Sequence, residues 1–175
     1  MKATLYTLVF VFGLGGLLKA QDYGDDSVKC RENLYIYYEL AKKKQYAEAY
    51  DAWQIVYDIC PGSSKNNFIY GPYIVKEKLK AAKKANDTAA VSKFQKLLIE
   101  VYDRRNEFYP GREADVRSRK ALDVFMYFDD NKRAYDLFQE ALEKDGPEQS
   151  AAFYNYYFVA AARLFNDKEF SIEEV

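Results

Sequence analysis

Histidine is absent from all 175 residues, and with it go the usual general base at neutral pH, the Ser-His and Cys-His nucleophile pairs and the commonest zinc ligand. Cysteine is scarce: Cys30 and Cys60 are the whole supply, too few for a four-thiolate metal site. Catalysis would fall to Asp, Glu, Lys or Tyr, and no spacing of these residues marks such a site. The chain therefore reads as a protein that is not an enzyme and uses no cofactor or metal. A charge of one sign is also lacking, with 26 basic side chains against 27 acidic ones, so nothing points to nucleic acid.

Long apolar runs are missing except at the start. Lys2 precedes an apolar stretch from Ala3 to Leu18, followed by Lys19, Ala20 and Gln21, the order of a charged region, an apolar region and a small residue before cleavage. Residues 1–20 read as a signal peptide and 21–26 as a flexible start of the mature chain. A membrane anchor is the competing reading, but the run is shorter than the roughly 20 residues a spanning helix needs. Gly13, Gly15 and Gly16 weaken it further as a helix. No cysteine follows the run directly, so no lipid anchor is indicated. Loss of Lys2 and Lys19 leaves 24 basic against 27 acidic groups, a formal charge of −3 and no integral span.

The chain as a whole is rich in aromatic residues, 17 Tyr and 12 Phe, nearly all of them after the leader, side chains long enough to fill wide seams between helices. From Asn33 to Pro61 the apolar positions fall at Leu34, Tyr37, Tyr38 and Leu40, then at Tyr46, Ala49, Tyr50, Trp53, Val56 and Tyr57. Spacings of three and four mark one face of each of two helices. Lys42 to Gln45 is too polar to bury and makes a turn, so the two helices lie antiparallel. All four prolines sit beside a glycine, at Pro61-Gly62, Gly71-Pro72, Pro110-Gly111 and Gly146-Pro147, and such pairs are expected to end helices. Polar breaks at Asn86-Asp87-Thr88, Asp129-Asp130-Asn131 and Asn166-Asp167-Lys168 supply turns and caps. The expectation is helices near 27–43, 46–59, 72–85, 88–108, 112–128, 131–144 and 148–165.

Tyr46, Ala49, Trp53 and Pro61 stand at the aromatic, small, aromatic and terminating positions of the tetratricopeptide repeat, which this stretch resembles. Ala134, Phe138 and Ala141 repeat the second-helix pattern, and Tyr157, Ala160, Ala161 and Leu164 repeat the first. Tyr37 departs from it at a small position, as does Val91 in the long helix from Thr88. The resemblance implies an all-α, tetratricopeptide-like helical-hairpin solenoid of about seven helices over residues 27–175. Its repeats fall near 30–61, 72–110, 112–146 and, incomplete, 148–175. Cys30 with Trp53, the run Cys60 to Asn66, Tyr102 to Arg105 and Phe108-Tyr109-Pro110 are similar to secreted bacterial envelope members of that family. Those members imply a periplasmic or outer-membrane-associated location and a protein or peptide partner in the cell envelope. In an antiparallel hairpin the start of the first helix lies beside the end of the second, which pairs Cys30 with Cys60 in an oxidising compartment.

First helices line the concave face of a tetratricopeptide array, so the candidate peptide groove comprises Arg31, Tyr38 and Lys42, then Tyr73, Lys76, Lys80 and Lys83, then Arg119 with Asp123. Lys76, Lys80 and Lys83 share one helical face, and a merely solvated lysine face is the competing explanation. A second basic cluster, Arg104, Arg105, Arg112, Arg117, Arg119 and Lys120, is interleaved with Glu107, Glu113 and Asp115, so local ion pairs explain it at least as well as anion binding. The triplets Asp26-Ser27-Val28 and Asp87-Thr88-Ala89 fit an envelope O-glycosylation pattern, and Asn86-Asp87-Thr88 an N-glycosylation one, yet helix capping is the default. Asp167, Glu169, Glu173 and Glu174 match no calcium loop. Ser171 and Glu174 have capping-box spacing just before the last residue, which leads to the expectation of a truncated repeat with Tyr157, Ala161 and Leu164 left uncovered.

The leading functional expectation is a non-enzymatic protein–protein interaction scaffold of the bacterial periplasm or outer-membrane assembly. The alternatives are a glycan or nutrient binder stacking its ligand on Tyr73, Tyr38 or Phe158, and the non-catalytic arm of a larger enzyme.

Overall fold

A computed structural model describes residues 23–167. The leader, the acidic residues from Glu169 onward and the Ser171–Glu174 pair lie outside the described residues. Seven helices follow one another, with no strand among the described residues: α1 (Ser27–Lys42), α2 (Tyr46–Ile59), α3 (Asn66–Lys84), α4 (Thr88–Phe108), α5 (Glu113–Tyr127), α6 (Asn131–Asp145) and α7 (Ala151–Asn166). A short 3-10 turn, Pro61–Ser63, separates the first two pairs. Helices α1 and α2, α3 and α4, and α5 and α6 form successive hairpins, and α7 packs on α6 and α5. The fold is an all-α array of helical hairpins. None of the helices among the described residues is long and apolar enough to cross a membrane.

The hairpin turns share one conformation. Lys44, Asn86 and Asp129 take φ of 60°, 55° and 56°, the left-handed geometry that reverses the chain after a helix. In the first turn the Lys44 and Gln45 amides donate to the Ala41 and Leu40 carbonyls, and in the second Asn86 and Asp87 donate to Lys83 and Ala82, so both close as Schellman motifs. Caps begin the next helices: Asp87 accepts from the Ala90 amide at 2.9 Å and Asp130 from Arg133 at 2.9 Å. Asp26 caps α1 in the same way through Lys29 at 3.0 Å. Both triplets with the O-glycosylation pattern thus hold their aspartates in capping bonds.

One boundary expected from the sequence is wrong. Gly71-Pro72 does not start a helix but lies inside α3, which begins at Asn66. Pro72 has no amide to give the Phe68 carbonyl, a loss that normally breaks a helix. Packing offsets that cost. A Cβ on Gly71 would sit 3.0 Å from both Trp53 Cζ2 and Val101 Cγ1, so the missing side chain is what admits the indole of α2 against α3, beside Val101 of α4. The Trp53 Nε1–H donates to the Asn67 carbonyl at 2.8 Å. Asn67, fully buried, accepts from the Tyr37 hydroxyl and donates to the Pro61 carbonyl at 2.9 Å. Tyr37 fits its crowded position because its hydroxyl reaches that amide, and burial pushes the phenol pKa up.

A continuous core runs from Cys30 to Phe153, carried by aromatic contacts such as Trp53 stacked on Tyr57 (4.9 Å), Phe68 on Phe108 (5.7 Å) and Phe138 edge-on to Phe153 (4.9 Å). The expected open seam on the last helix is also corrected. Ala161 and Leu164 are 5% and 1% exposed, clustered with Tyr135 of α6, and Tyr157 stacks on Tyr135 at 5.1 Å. The apolar side chains of α7 that do face outward are Tyr154, Phe158 and Phe165.

Cys30 and Cys60 are bridged, with Cα atoms 6.2 Å apart and both side chains buried. The bridge ties the start of α1 to the end of α2. Closing a loop of this length is worth about 3–4 kcal/mol in the chain-entropy model. Cys30→Ala with Cys60→Ala is expected to lower the unfolding free energy by about that amount. Denaturant titration of the oxidised protein and the double variant checks it, and indistinguishable midpoints would show that the bridge contributes nothing.

Candidate functional site

Helices α3 and α5 run in the same direction. Lys76 meets Asp123, the Lys80 ammonium lies 5.6 Å over the Tyr127 ring, and Lys83 pairs with Asp129, so the chain offset stays near constant as the contacts climb. The three lysines share a face, as their spacing requires. That face is turned toward α5, with Lys80 still half exposed to solvent. Lys80 also pairs with Glu77 at 2.8 Å, and that hydrogen bond raises the lysine pKa. Long side chains thus zip the C-terminal halves of α3 and α5 together.

Toward the N-terminal halves the two helices bound a cleft of about 530 Å³. One wall is Lys65, just before α3, with Phe68, Ile69, Pro72, Tyr73 and Lys76 on it. The other is Arg112, Asp115, Val116, Arg119, Leu122, Asp123 and Met126 on and just before α5. Both are runs at helical spacing. Tyr102 and Arg105 of α4 form the floor. Ile69 and Met126, one from each wall, are 43% and 47% exposed.

Of the residues expected in a groove, Tyr73, Lys76, Arg119 and Asp123 come together here. Lys80 and Lys83 lie in the zipped part, outside the cleft lining. Arg31, Tyr38 and Lys42 belong to α1 and are not in the cleft: Arg31 donates to the Ser27 carbonyl at 3.1 Å, Tyr38 meets Tyr70 edge-on at 5.9 Å, and Lys42 pairs with Glu39 at 3.1 Å. The α3 wall before Tyr73 went unread because Gly71-Pro72 looked like a helix start. Its signal was available, since 65, 68, 69, 72 and 73 continue the three-and-four spacing through the proline.

Charges in the cleft are unequal. Five cations, Lys65, Lys76, Arg105, Arg112 and Arg119, face two carboxylates. Asp123, buried, accepts from the Tyr102 hydroxyl at 2.5 Å and holds Lys76 at 2.9 Å. Burial, and then the aspartate charge, push the Tyr102 pKa far up, so this phenol keeps its proton and donates it in a hydrogen bond to Asp123. Asp115 is shared by Arg119 at 3.0 Å and Arg112 at 3.8 Å.

Local pairing explains most of the remaining basic cluster. Arg104 pairs with Glu100, Lys120 with Asp103 at 2.7 Å, and Arg117 forks onto Asp145, which lowers the pKa of that carboxyl. Arg105 is the exception and has no carboxylate partner among the described residues. No group of three or more Cys, Asp or Glu able to hold a metal occurs among the described residues. The arrangement suits binding of an apolar ligand that carries negative charge.

The buried Lys76–Asp123 pair closes the cleft, and its two members are not equivalent to remove. Asp123→Ala leaves an ammonium that is 13% exposed without a counter-charge, a change expected to cost about 3–5 kcal/mol. Adding Lys76→Met should recover part of that loss. Denaturant unfolding of both variants checks the order, and equal losses would mean that the pair does not hold α5 on α3.

Comparison with known proteins finds no family model, no curated protein and no solved structure that matches the chain. The tetratricopeptide resemblance rests on the sequence alone.

Proposed function

We propose that the protein is a non-enzymatic interaction scaffold of tetratricopeptide type, exported to the bacterial periplasm or an outer-membrane assembly, and that the cleft between α3 and α5 receives a segment of its protein partner. The carrying observation is the cleft itself, two apolar helical faces with cations on them and a floor without a nucleophile–base pair. Export is supported by the leader-like order of residues 1–21 and by the buried Cys30–Cys60 bridge, which suits an oxidising compartment.

A glycan platform has less support. Tyr73 is in the cleft, whereas Tyr38 packs on α3 from α1 and Phe158 is on α7, so the three aromatic residues named for it do not form one surface.

A photo-crosslinking residue at Met126, expressed in the exporting cell, is expected to yield adducts with a protein. Those adducts should disappear when Ile69→Trp fills the opposite wall. A crosslinker at exposed Val28 of α1 gives the background. Glycan adducts at Met126, or protein adducts unchanged by Ile69→Trp, would overturn the reading. The mature protein from a periplasmic fraction should begin at Gln21 by mass.

A further inference from the structure

Arg105 is 7% exposed, lines the cleft, and donates a hydrogen bond to the Tyr109 carbonyl, with its guanidinium 5.6 Å from the Tyr109 ring. A guanidinium has five N–H donors in a rigid fork, and burying its charge without a counter-anion is costly. Among the described residues no carboxylate forms an ion pair with it, and Glu113 acts on it only through space. Asp123 is engaged by Lys76 and Tyr102, Asp115 is divided between Arg112 and Arg119, and Glu113 accepts from the Gly111 amide at 2.7 Å. The lining as a whole keeps an excess of three positive charges.

We propose that Arg105 is the anion-recognition centre of the cleft, and that the segment received there is an extended peptide presenting an Asp or Glu carboxylate flanked by large apolar side chains. The inference rests on the reading of the cleft as a partner-binding site. A carboxylate accepts two parallel hydrogen bonds from an arginine fork, completing the coordination that the protein leaves open. Phe68, Ile69, Val116 and Met126 offer apolar surface on either side of that point. Shape favours an extended chain over a compact ligand. From Lys65 to Lys76 the wall is roughly 16 Å long at the helical rise, the span of about five residues of extended peptide. Arg112 and Arg119, exposed at the rim, draw the carboxylate in and make the association salt-dependent.

An array of octapeptides capped at both ends tests this, each with a central Asp or its Asn counterpart between Leu, Ile, Phe and Met. The wild-type protein should prefer Asp over Asn by about tenfold or more, the range of a charge-assisted hydrogen bond. Arg105→Met should abolish that preference while retaining weak binding of the apolar peptides. If that variant does not fold, the Arg105 Nε–H resonance of the wild-type protein serves instead. It should shift with the Asp peptide and stay in place with the Asn peptide. Equal binding of Asp and Asn peptides, or an Nε–H signal indifferent to both, overturns the anion centre and leaves the partner-binding reading standing. No binding of any peptide overturns both.

Discussion

The indole of Trp53 occupies a space that exists only because residue 71 has no side chain, and the arrangement of the first two hairpins depends on that fit. The ring is fully buried, its N–H is spent on the Asn67 carbonyl, and its face lies on Tyr57. The Asn67 side chain then carries the contact outward, to Tyr37 of α1 and to the Pro61 turn. At the far end of α4 the Tyr109 hydroxyl donates to the Gly62 carbonyl at 2.7 Å, so the same turn is held from both sides. A buried amide left without these partners would cost about 1–3 kcal/mol per group, so these bonds hold the start of α3, where the cleft wall begins, to α1 and the Pro61 turn.

The second wall is set by charge rather than by close backbone packing. Helix α5 approaches α3 through lysine side chains, and the contributions differ along the zipper. Lys83–Asp129 is open to water at the aspartate, and pairs of that kind contribute little. Lys76–Asp123 is buried and shares its carboxylate with Tyr102, so loss of either partner exposes a desolvation penalty. The helices consequently meet at their C-terminal halves and leave the N-terminal halves to form a cleft. Recognition chemistry follows from what that closure uses up. Both cleft carboxylates are committed to holding the walls, and Arg105 on the floor is left without one.

Most of the architecture was legible as periodicity. Six of the seven helices, the three hairpin turns and the cysteine pairing follow from apolar spacing, polar breaks and the antiparallel geometry of a hairpin. The start of α3 was not, because proline beside glycine signals a boundary locally while the reason for keeping both is tertiary, the room needed by Trp53. Lys76, Lys80 and Lys83 were correctly placed on one face, but spacing does not say which neighbour that face meets. Asp123 and Asp129 sit 46 or 47 residues downstream, and only the packing of hairpin on hairpin brings them there. Arg105 looked like one more member of a self-neutralising cluster until the neighbouring acids proved to be engaged elsewhere.

The account turns on Gly71, and its stability effect has a sign that discriminates. Glycine inside a helix is less favourable than alanine by roughly 0.5–1 kcal/mol, so Gly71→Ala would stabilise α3 if the position were merely helical. With Trp53 and Val101 at 3.0 Å from the added methyl, overpacking is expected to win and destabilise the protein by about 1–3 kcal/mol. In a Trp53→Ala background, where the ring is gone, the same substitution should become neutral or favourable. Equilibrium denaturation of the four proteins in this cycle measures the coupling directly. A destabilisation that vanishes with the indole is the predicted result, and a Gly71→Ala variant as stable as the parent or more so, in the presence of Trp53, would contradict the account.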